Sequence, residues 1–157
     1  MSHSLEFVFL VDVLKPLLLQ REFFRKVDEK GQLYDLLAWY WNRELMSWSV
    51  DETQVAHGVC LIRLFRELPS FLSYVHDPCG EFVFIELLSA DTPNVMQELF
   101  EQLFIRHGEQ KVVLWDRGER TENGTPRMYT WSQFMKLARR LTYGLIQKGE
   151  TNGPVRR

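Results

Sequence analysis

One acidic residue, Glu86, lies inside the apolar run FVFIELLSA at residues 82–90. The length and residue types of this run predict a β-strand over residues 81–89. An ionised carboxylate that leaves water carries a large free-energy penalty, or it takes up a proton instead. Glu86 is therefore a candidate for acid–base chemistry. The alternatives are a place on a solvent-facing side of the strand and an ion pair with a nearby arginine.

Aromatic residues between positions 34 and 48 form a second candidate group. They are Tyr34, Trp39, Tyr40, Trp41 and Trp48. A groove for a long apolar chain needs dry, apolar walls, so Trp39 and Trp41 are candidate substrate-binding residues. Packing in the hydrophobic core is the other use of such rings.

Four basic residues near the end of the chain are candidates for binding an acidic partner. They are Arg127, Lys136, Arg139 and Arg140. The last three share one face of a predicted helix. Such a face suits an acidic carrier protein, and it equally suits a helix surface in contact with water.

The other polar clusters predict no metal site. His76, Asp77 and Cys79 have side chains that bind zinc, but they lack the spacing of standard zinc sites. We expect His57 on a helix surface, His76 in a loop and His107 at a helix end.

Length and charge indicate one domain without a general affinity for nucleic acid. The chain has 157 residues, with 19 Lys and Arg against 21 Asp and Glu, which gives a net charge of −2. We expect a single domain over residues 1–150 and a flexible basic tail over residues 151–157. A homodimer is one open possibility for the oligomeric state.

The cysteines and the N-terminal segment predict a cytoplasmic protein. Cys60 and Cys79 lack CxxC spacing, and two isolated cysteines suit a reducing compartment. Asp12 and Lys15 interrupt the apolar N-terminal stretch, and no basic region precedes it. These features argue against a signal peptide and against a membrane span.

Hydrophobic periodicity and turn residues predict the elements that position these candidates. The first half contains a helix at 5–20 with Pro16 as a kink or end, an antiparallel hairpin within 21–42 that turns at 28–31, and a helix at 52–67. The strand at 81–89 follows, and then a helix from Pro93 to His107 that is capped by Thr92. The chain continues with a hairpin of KVVLW and RMYTW that turns at Asn123–Gly124, and with a last helix that is capped by Ser132 and turns Phe134, Leu137, Leu141 and Leu145 toward the core.

This order of elements describes an α+β (α/β-like) domain with a mixed central sheet flanked by helices. It is also the general layout of the GNAT-like acyltransferases. In that fold a central strand and the helix after it form a V-shaped opening for the acyl donor.

Two segments resemble the toxin-activating lysine acyltransferases of the RTX (haemolysin-activating) type. In FLVDVLKPLLLQREFFRKVDEKGQLYDLLAWYWNREL, the matching positions are Val13, Leu14, Pro16, Gln20 and Ala38-Trp39. CGEFVFIELLSA resembles the family's strand that carries the catalytic acid, which places Glu86 at that acid position. The resemblance spans roughly residues 3–115.

The resemblance implies transfer of an acyl group from an acyl carrier protein to a lysine ε-amino group of a target protein, with no further cofactor. A lysine with a pKa near 10.4 holds its proton at neutral pH, and freeing the amine costs roughly 4–5 kcal/mol. His3 falls near the place of the family's essential histidine, so the resemblance implies that His3 is the base and that Glu86 orients it.

The chain also departs from the family pattern. Only Met1 and Ser2 precede His3, the acid is Glu rather than Asp, and residues 90–93 replace the family's turn after the acid strand. The absence of a Gly-x-Gly phosphate loop after the strand argues against an ordinary acetyl-CoA-dependent enzyme. The alternative function is therefore a non-catalytic GNAT-like domain that binds a partner protein.

Overall fold

The computed structural model describes residues 3–66, 76–107, 112–120, 126–130, 132–134, 136–137 and 140. Its helices are α1 (Leu5–Leu18), α2 (Glu22–Glu29), α3 (Leu33–Asn42) and α4 (Pro93–His107), and its strands are β1 (Met46–Val50), β2 (Ala56–Phe65), β3 (Phe82–Ala90), β4 (Val112–Arg120) and β5 (Pro126–Thr130). Residues 132–134, 136–137 and 140 are also helical.

The strands form one mixed sheet in the order β1-β2-β3-β4-β5, with β3 at its centre. The pairs β1–β2, β2–β3 and β4–β5 are antiparallel, whereas β3 and β4 are parallel. Helix α4 makes the crossover that a parallel pair requires. The predicted α+β class and the predicted central strand are confirmed.

Helices cover both faces of the sheet. Gly58 of β2 faces α4 so closely that a Cβ atom there would lie 2.5 Å from Cγ1 of Val95. Side chains alternate between the two faces along a strand, so Val59 faces away from α4. Its cross-strand partner Trp48 stacks on Trp41 of α3. The sheet therefore lies between α4 on one face and α1 with α3 on the other.

The first helix agrees with the sequence prediction. The hydroxyl of Ser4 accepts a hydrogen bond from the Phe7 amide at 3.2 Å and caps α1. The helical spacing of Phe7, Val11, Leu14 and Leu18 buries all four side chains in the core. Pro16 lies inside α1, and the helix ends two residues later.

The predicted hairpin within residues 21–42 is wrong, because this segment forms α2 and α3. Gly31 has a φ of 70°, and its amide bonds the Asp28 carbonyl, so it terminates α2 as a left-handed glycine. The same Asp-Glu-Lys-Gly sequence is also typical of a hairpin turn. The buried residues Leu33 and Leu37 then follow helical spacing in α3.

The predicted helix at 52–67 is also wrong, because β2 occupies most of this segment. Strand β1 was not predicted from the sequence. Every residue from Gly58 to Phe65 is buried, so β2 has apolar neighbours on both faces. A strand covered on both sides lacks the alternation of polar and apolar residues that marks a half-buried strand. Its continuous apolar run therefore matched helical spacing.

Helix α4 and the strands β3, β4 and β5 agree with the later predictions, whereas the predicted cap of the last helix is wrong. Thr92 caps α4, since its hydroxyl accepts a hydrogen bond from the Val95 amide at 3.2 Å. The last helix is capped by Thr130 rather than by Ser132. The Thr130 hydroxyl accepts from the Gln133 amide at 3.1 Å, and the Gln133 side chain accepts from the Thr130 amide at 3.0 Å. These reciprocal bonds form a capping box.

Phe134 is buried and contacts the ring of Phe100 in α4, with centroids 5.5 Å apart. Leu137 packs at the edge of the same core. The predicted turn at Asn123–Gly124, the core positions Leu141 and Leu145, and the tail at 151–157 lie outside the described residues.

Candidate functional site

Strands β3 and β4 separate halfway along their length. Their parallel register begins at Phe82 with Val112 and ends at Ile85 with Trp115. Both strands then continue for five residues, and no pair joins residues 86–90 with residues 116–120. We call this separation the β3–β4 fork. Pairing between the two strands therefore ends at Ile85 and Trp115.

Glu86 is the extra residue of a β-bulge at the same point. In the β2–β3 register Ile62 pairs with Ile85, but its neighbour Leu61 pairs with Leu87. Strand β3 therefore has one residue more than β2 across this step, and that residue is Glu86. Bulges redirect side chains and are frequent beside active sites. Glu86 thus lies at the β3–β4 fork on a locally distorted strand.

The carboxylate of Glu86 pairs with Arg63 of β2. Nε of Arg63 donates to Oε2 of Glu86 at 2.9 Å, and Nη2 donates to the same oxygen. The two side chains are only 2% and 11% exposed. The rings of Phe65 and Phe84 lie 5.5 and 5.4 Å from the guanidinium carbon. Charge-assisted bonds and two cation–π contacts hold this buried pair, so the ion-pair alternative for Glu86 describes the structure.

His3 has a different partner from the one that the resemblance implies. Its Nε2 lies 2.7 Å from Oδ1 of Asp35 in α3, and its ring packs on Phe7 with centroids 5.3 Å apart. Within the described residues no hydrogen bond or ion pair joins His3 with Glu86. The structure thus forms two pairs, His3 with Asp35 and Glu86 with Arg63.

Sequence reasoning missed both partners. Arg63 is a single cation in the apolar run VCLIRLF, just as Glu86 is a single anion in its own run. Two opposite charges inside two apolar runs could have predicted this ion pair, since buried charges are normally paired. Asp35 had no such signal, because it lies in a segment that was predicted as a hairpin.

The two candidate tryptophans of α3 lie in different environments. Trp41 stacks on Trp48 with centroids 5.3 Å apart and 20° between the ring planes. Trp39 instead contacts His76 and lies under the guanidinium of Arg43, 4.4 Å from its ring centroid. Residues two apart on a helix do not share a face, so these two rings cannot line one groove.

Trp41 and Trp48 form part of a groove of about 280 Å³ between α1, α3 and the β1–β2 turn. It is lined by Glu6, Phe9, Leu10, Val13, Trp41, Trp48, Val50, Asp51 and Gln54. Of the two predicted substrate-binding tryptophans, Trp41 therefore lines a groove and Trp39 does not line this one.

His57 lies on β2, not on a helix surface as predicted, and it bridges two aspartates. Nε2 is 2.7 Å from Oδ2 of Asp51 in the β1–β2 turn, and Nδ1 is 2.7 Å from Oδ2 of Asp91 at the end of β3. Hydrogen bonds with Asp51 and then Asp91 raise the pKa of His57 above its usual value. With a carboxylate oxygen 2.7 Å from each ring nitrogen, the geometry favours the doubly protonated ring, which donates to both aspartates and has no lone pair for a base.

The same link lowers the pKa of Asp51. The hydrogen bond with His57 is the largest cause, and bonds from Thr53 and Val55 add to it. One oxygen of Asp51 accepts from the Thr53 amide, the Thr53 hydroxyl and the Val55 amide. Asp51 therefore organises the β1–β2 turn and, through His57, ties it to the end of β3.

The other two histidines are also bound within the fold. Nδ1 of His76 accepts from the Leu64 amide at 3.2 Å, and burial lowers the pKa of His76. His107 is the last residue of α4, as predicted, and its Nε2 donates to the Glu44 carbonyl at 2.6 Å.

Cysteine chemistry and metal binding gain no support from the described residues. Burial raises the pKa of Cys60 to about 12, so its thiol stays protonated at neutral pH. Cys79 is exposed. Among the residues described, no group of three His, Cys, Asp or Glu side chains is placed to hold a metal ion.

The predicted basic residues divide among three situations. Arg127 lies on β5 as the register partner of Trp115, which is the last β4 residue paired with β3. Lys136 and Arg140 are exposed on the last helix. Arg139 lies outside the described residues. The position of Arg127 puts it on the strand next to the β3–β4 fork.

No family model, curated protein or solved structure matches this chain. The fold itself defines the class, an α+β domain with a mixed five-stranded sheet. In the part of the chain that the structure covers, no helix has the length and apolar character needed to cross a membrane.

Proposed function

We propose that the chain is a GNAT-like domain that binds an acyl thioester at the β3–β4 fork and transfers the acyl group from an acyl carrier protein to a lysine of a target protein. The observation that carries this proposal is the separation of the two parallel strands after Ile85 and Trp115. The crossover helix α4 and the bulge at Glu86 support the same proposal.

The β3–β4 fork suits an extended, amide-containing ligand. Residues 87–90 of β3 pair with β2 along one edge and with no residue of β4 along the other. A strand edge presents alternating N–H donors and C=O acceptors, which bind extended chains by adding a strand. The thiol-bearing arm of a carrier protein contains amides and can use such an edge.

The transfer itself needs a base. The lysine amine attacks the thioester carbonyl, a C–N bond forms, the C–S bond breaks, and the carrier thiol leaves with a proton. The proton that the lysine ammonium gives up must first go to an acceptor. His3 with Asp35 provides such an acceptor in this proposal, because a carboxylate at 2.7 Å orients the ring and stabilises an imidazolium.

In the proposed site the Glu86–Arg63 pair is a positioning element. It joins β2 to the bulge of β3 at the base of the β3–β4 fork and so holds the bulged strand against β2. Lys136 and Arg140, with Arg139, would form the docking face for the acidic carrier protein.

Mass spectrometry of a lysine-containing target incubated with acylated carriers of several chain lengths tests the proposal. We expect an added acyl mass with the parent chain. His3→Gln and Asp35→Asn should each lower the transfer rate strongly while the melting temperature stays close to that of the parent. A parent chain that acylates no lysine with any carrier would overturn the transferase.

The second candidate is a GNAT-like domain that binds a partner protein without catalysis. It is favoured by one observation, namely that His3 and Glu86 belong to two separate ion pairs rather than to one acid–base pair. Isothermal titration with the same carriers separates the two candidates. Binding of a carrier without acyl transfer supports the non-catalytic domain.

A further inference from the structure

None of the residues that the proposed acyl transfer uses, His3, Asp35, Arg63 and Glu86, lines the groove at Trp41 and Trp48. Both rings are half-buried, and the exposed ring of Phe9 on α1 forms the opposite wall. The lining is thus aromatic and apolar over most of its surface. Gln54 at the rim has a φ of 65°, a left-handed conformation that is uncommon for a residue other than glycine.

The charged residues at the rim of this groove are acidic. Glu6 and Asp51 are both exposed, and none of the lining residues is basic. Asp51 bonds His57, and His57 also bonds Asp91, so two carboxylates share one imidazole and this group is net negative in either protonation state of the ring. A ligand with positive charge is therefore favoured at this end of the groove.

Elsewhere the fold places its own cations over aromatic rings. Arg43 lies 4.4 Å from the ring centroid of Trp39, and Lys15 lies 5.2 Å from that of Tyr34. Within the described residues no Lys or Arg lies over Trp41 or Trp48. The groove thus combines aromatic faces and carboxylates, the two features that bind an organic cation, and both tryptophan faces are free of Lys and Arg from the described residues.

We propose that this groove binds one lysine or arginine side chain from a basic segment of a partner protein. A volume of about 280 Å³ accommodates a single long side chain rather than a helix or strand. The alkyl stem would lie against Phe9 and the tryptophan rings, and the charged end would reach Glu6 or Asp51. The inference goes beyond acyl transfer, because it requires neither the β3–β4 fork nor His3.

Peptide titration of the full chain, followed by tryptophan fluorescence and calorimetry, tests this inference. The peptides have one central position that carries lysine, arginine, norleucine or citrulline in an otherwise neutral sequence. Norleucine keeps the apolar stem of lysine without its charge, and citrulline keeps the shape of arginine without its charge. We expect the lysine or the arginine peptide to bind, and its affinity to fall as salt is raised.

Matched variants assign the binding to the groove. Glu6→Gln removes a rim charge and should weaken binding by about two- to fivefold. Glu22→Gln is the control, because Glu22 pairs with Lys26 on α2 and does not line the groove. Trp39→Phe is the aromatic control, since Trp39 packs elsewhere.

Three results would overturn the inference. They are equal binding of the neutral and charged peptides, absence of binding by every peptide up to millimolar concentration, and equal loss of affinity in Glu6→Gln and Glu22→Gln. Acyl transfer by the same preparation is measured separately, so a failure of the transferase leaves the peptide result intact.

Discussion

Two ionic clusters bracket residues 86–90 of β3, the half of the strand that does not pair with β4. At its start, Glu86 pairs with Arg63, and both side chains are almost completely buried. At its end, Asp91 bonds His57, whose side chain is 34% exposed. The buried pair is shielded from water, whereas the cluster at His57 is partly accessible to solvent.

The difference predicts which physical variable controls each cluster. Removal of one member of a buried pair leaves a charge that water cannot stabilise. An exposed cluster is screened by salt and contributes less. The first cluster should therefore govern stability, and the second should govern the response to pH.

The largest expected effect is that of Arg63→Met. This change removes the cation and leaves the carboxylate of Glu86 in its buried position, which should lower the free energy of unfolding by about 3–5 kcal/mol. Urea denaturation measures the loss. The double variant Arg63→Met with Glu86→Leu is the control, because it removes both charges and should recover much of the stability. A loss below about 1 kcal/mol in the single variant would contradict the buried pair.

Glu86→Gln, which changes the other member of the buried pair, should lower the free energy of unfolding by an intermediate amount. The amide oxygen still accepts a hydrogen bond from Arg63, but the compensating charge is lost. We expect a smaller decrease in the free energy of unfolding than for Arg63→Met, measured in the same urea series. A variant with unchanged stability and abolished acyl transfer would instead give Glu86 a direct role in the reaction.

The cluster of His57 with Asp51 and Asp91 should make the free energy of unfolding depend on pH. The pKa of His57 is raised in the folded state, so its stabilising contribution is complete below the unfolded pKa and is lost as pH rises through the folded pKa. We expect the free energy of unfolding to decline from about pH 6.5 upward. His57→Gln should flatten this decline, and His107→Gln is a control. An equal slope in parent and His57→Gln would contradict the assignment.

The smallest effect on stability is expected at the basic face of the last helix. Arg139→Glu with Arg140→Glu should weaken binding of an acidic carrier and increase its sensitivity to salt. The melting temperature should barely change, since Arg140 is exposed. Surface plasmon resonance at two salt concentrations measures the effect. Unchanged affinity in the variant would exclude this face as the docking site.

The parts of the fold that were predicted correctly have strong local signals. The helix α1 has a serine cap and a regular apolar face, and α4 has Thr92 and Pro93 at its start. Strand β3 is a largely apolar run, β4 begins with the apolar segment VVLW, and β5 contains the predicted segment RMYT. The segment from 21 to 65 failed because two of its signals are ambiguous. A glycine turn ends a helix as readily as it joins two strands, and a strand buried on both faces has no alternation.

The candidate site was likewise predictable only in part. An arginine partner for Glu86 was foreseeable, because a carboxylate in an apolar run must be neutralised or paired. That Arg63 is the partner follows only from the β2–β3 register, which the mistaken helix at 52–67 concealed. The partnership of His3 with Asp35 likewise depends on α3 lying beside the start of α1.

The sequence by itself determined the class of fold and the central strand with the helix after it, and it singled out Glu86 as a residue that needs water, a proton or a charge partner, because these follow from local periodicity, capping and the free energy of burying a charge. Only the tertiary structure decided the separation of β3 from β4, the bulge that contains Glu86, the bridge of His57 between two aspartates, and the stacking of Trp41 on Trp48. Each of these depends on residues that belong to different elements of the fold. Their positions depend on strand register and on the packing of helices across the sheet, which no local pattern encodes.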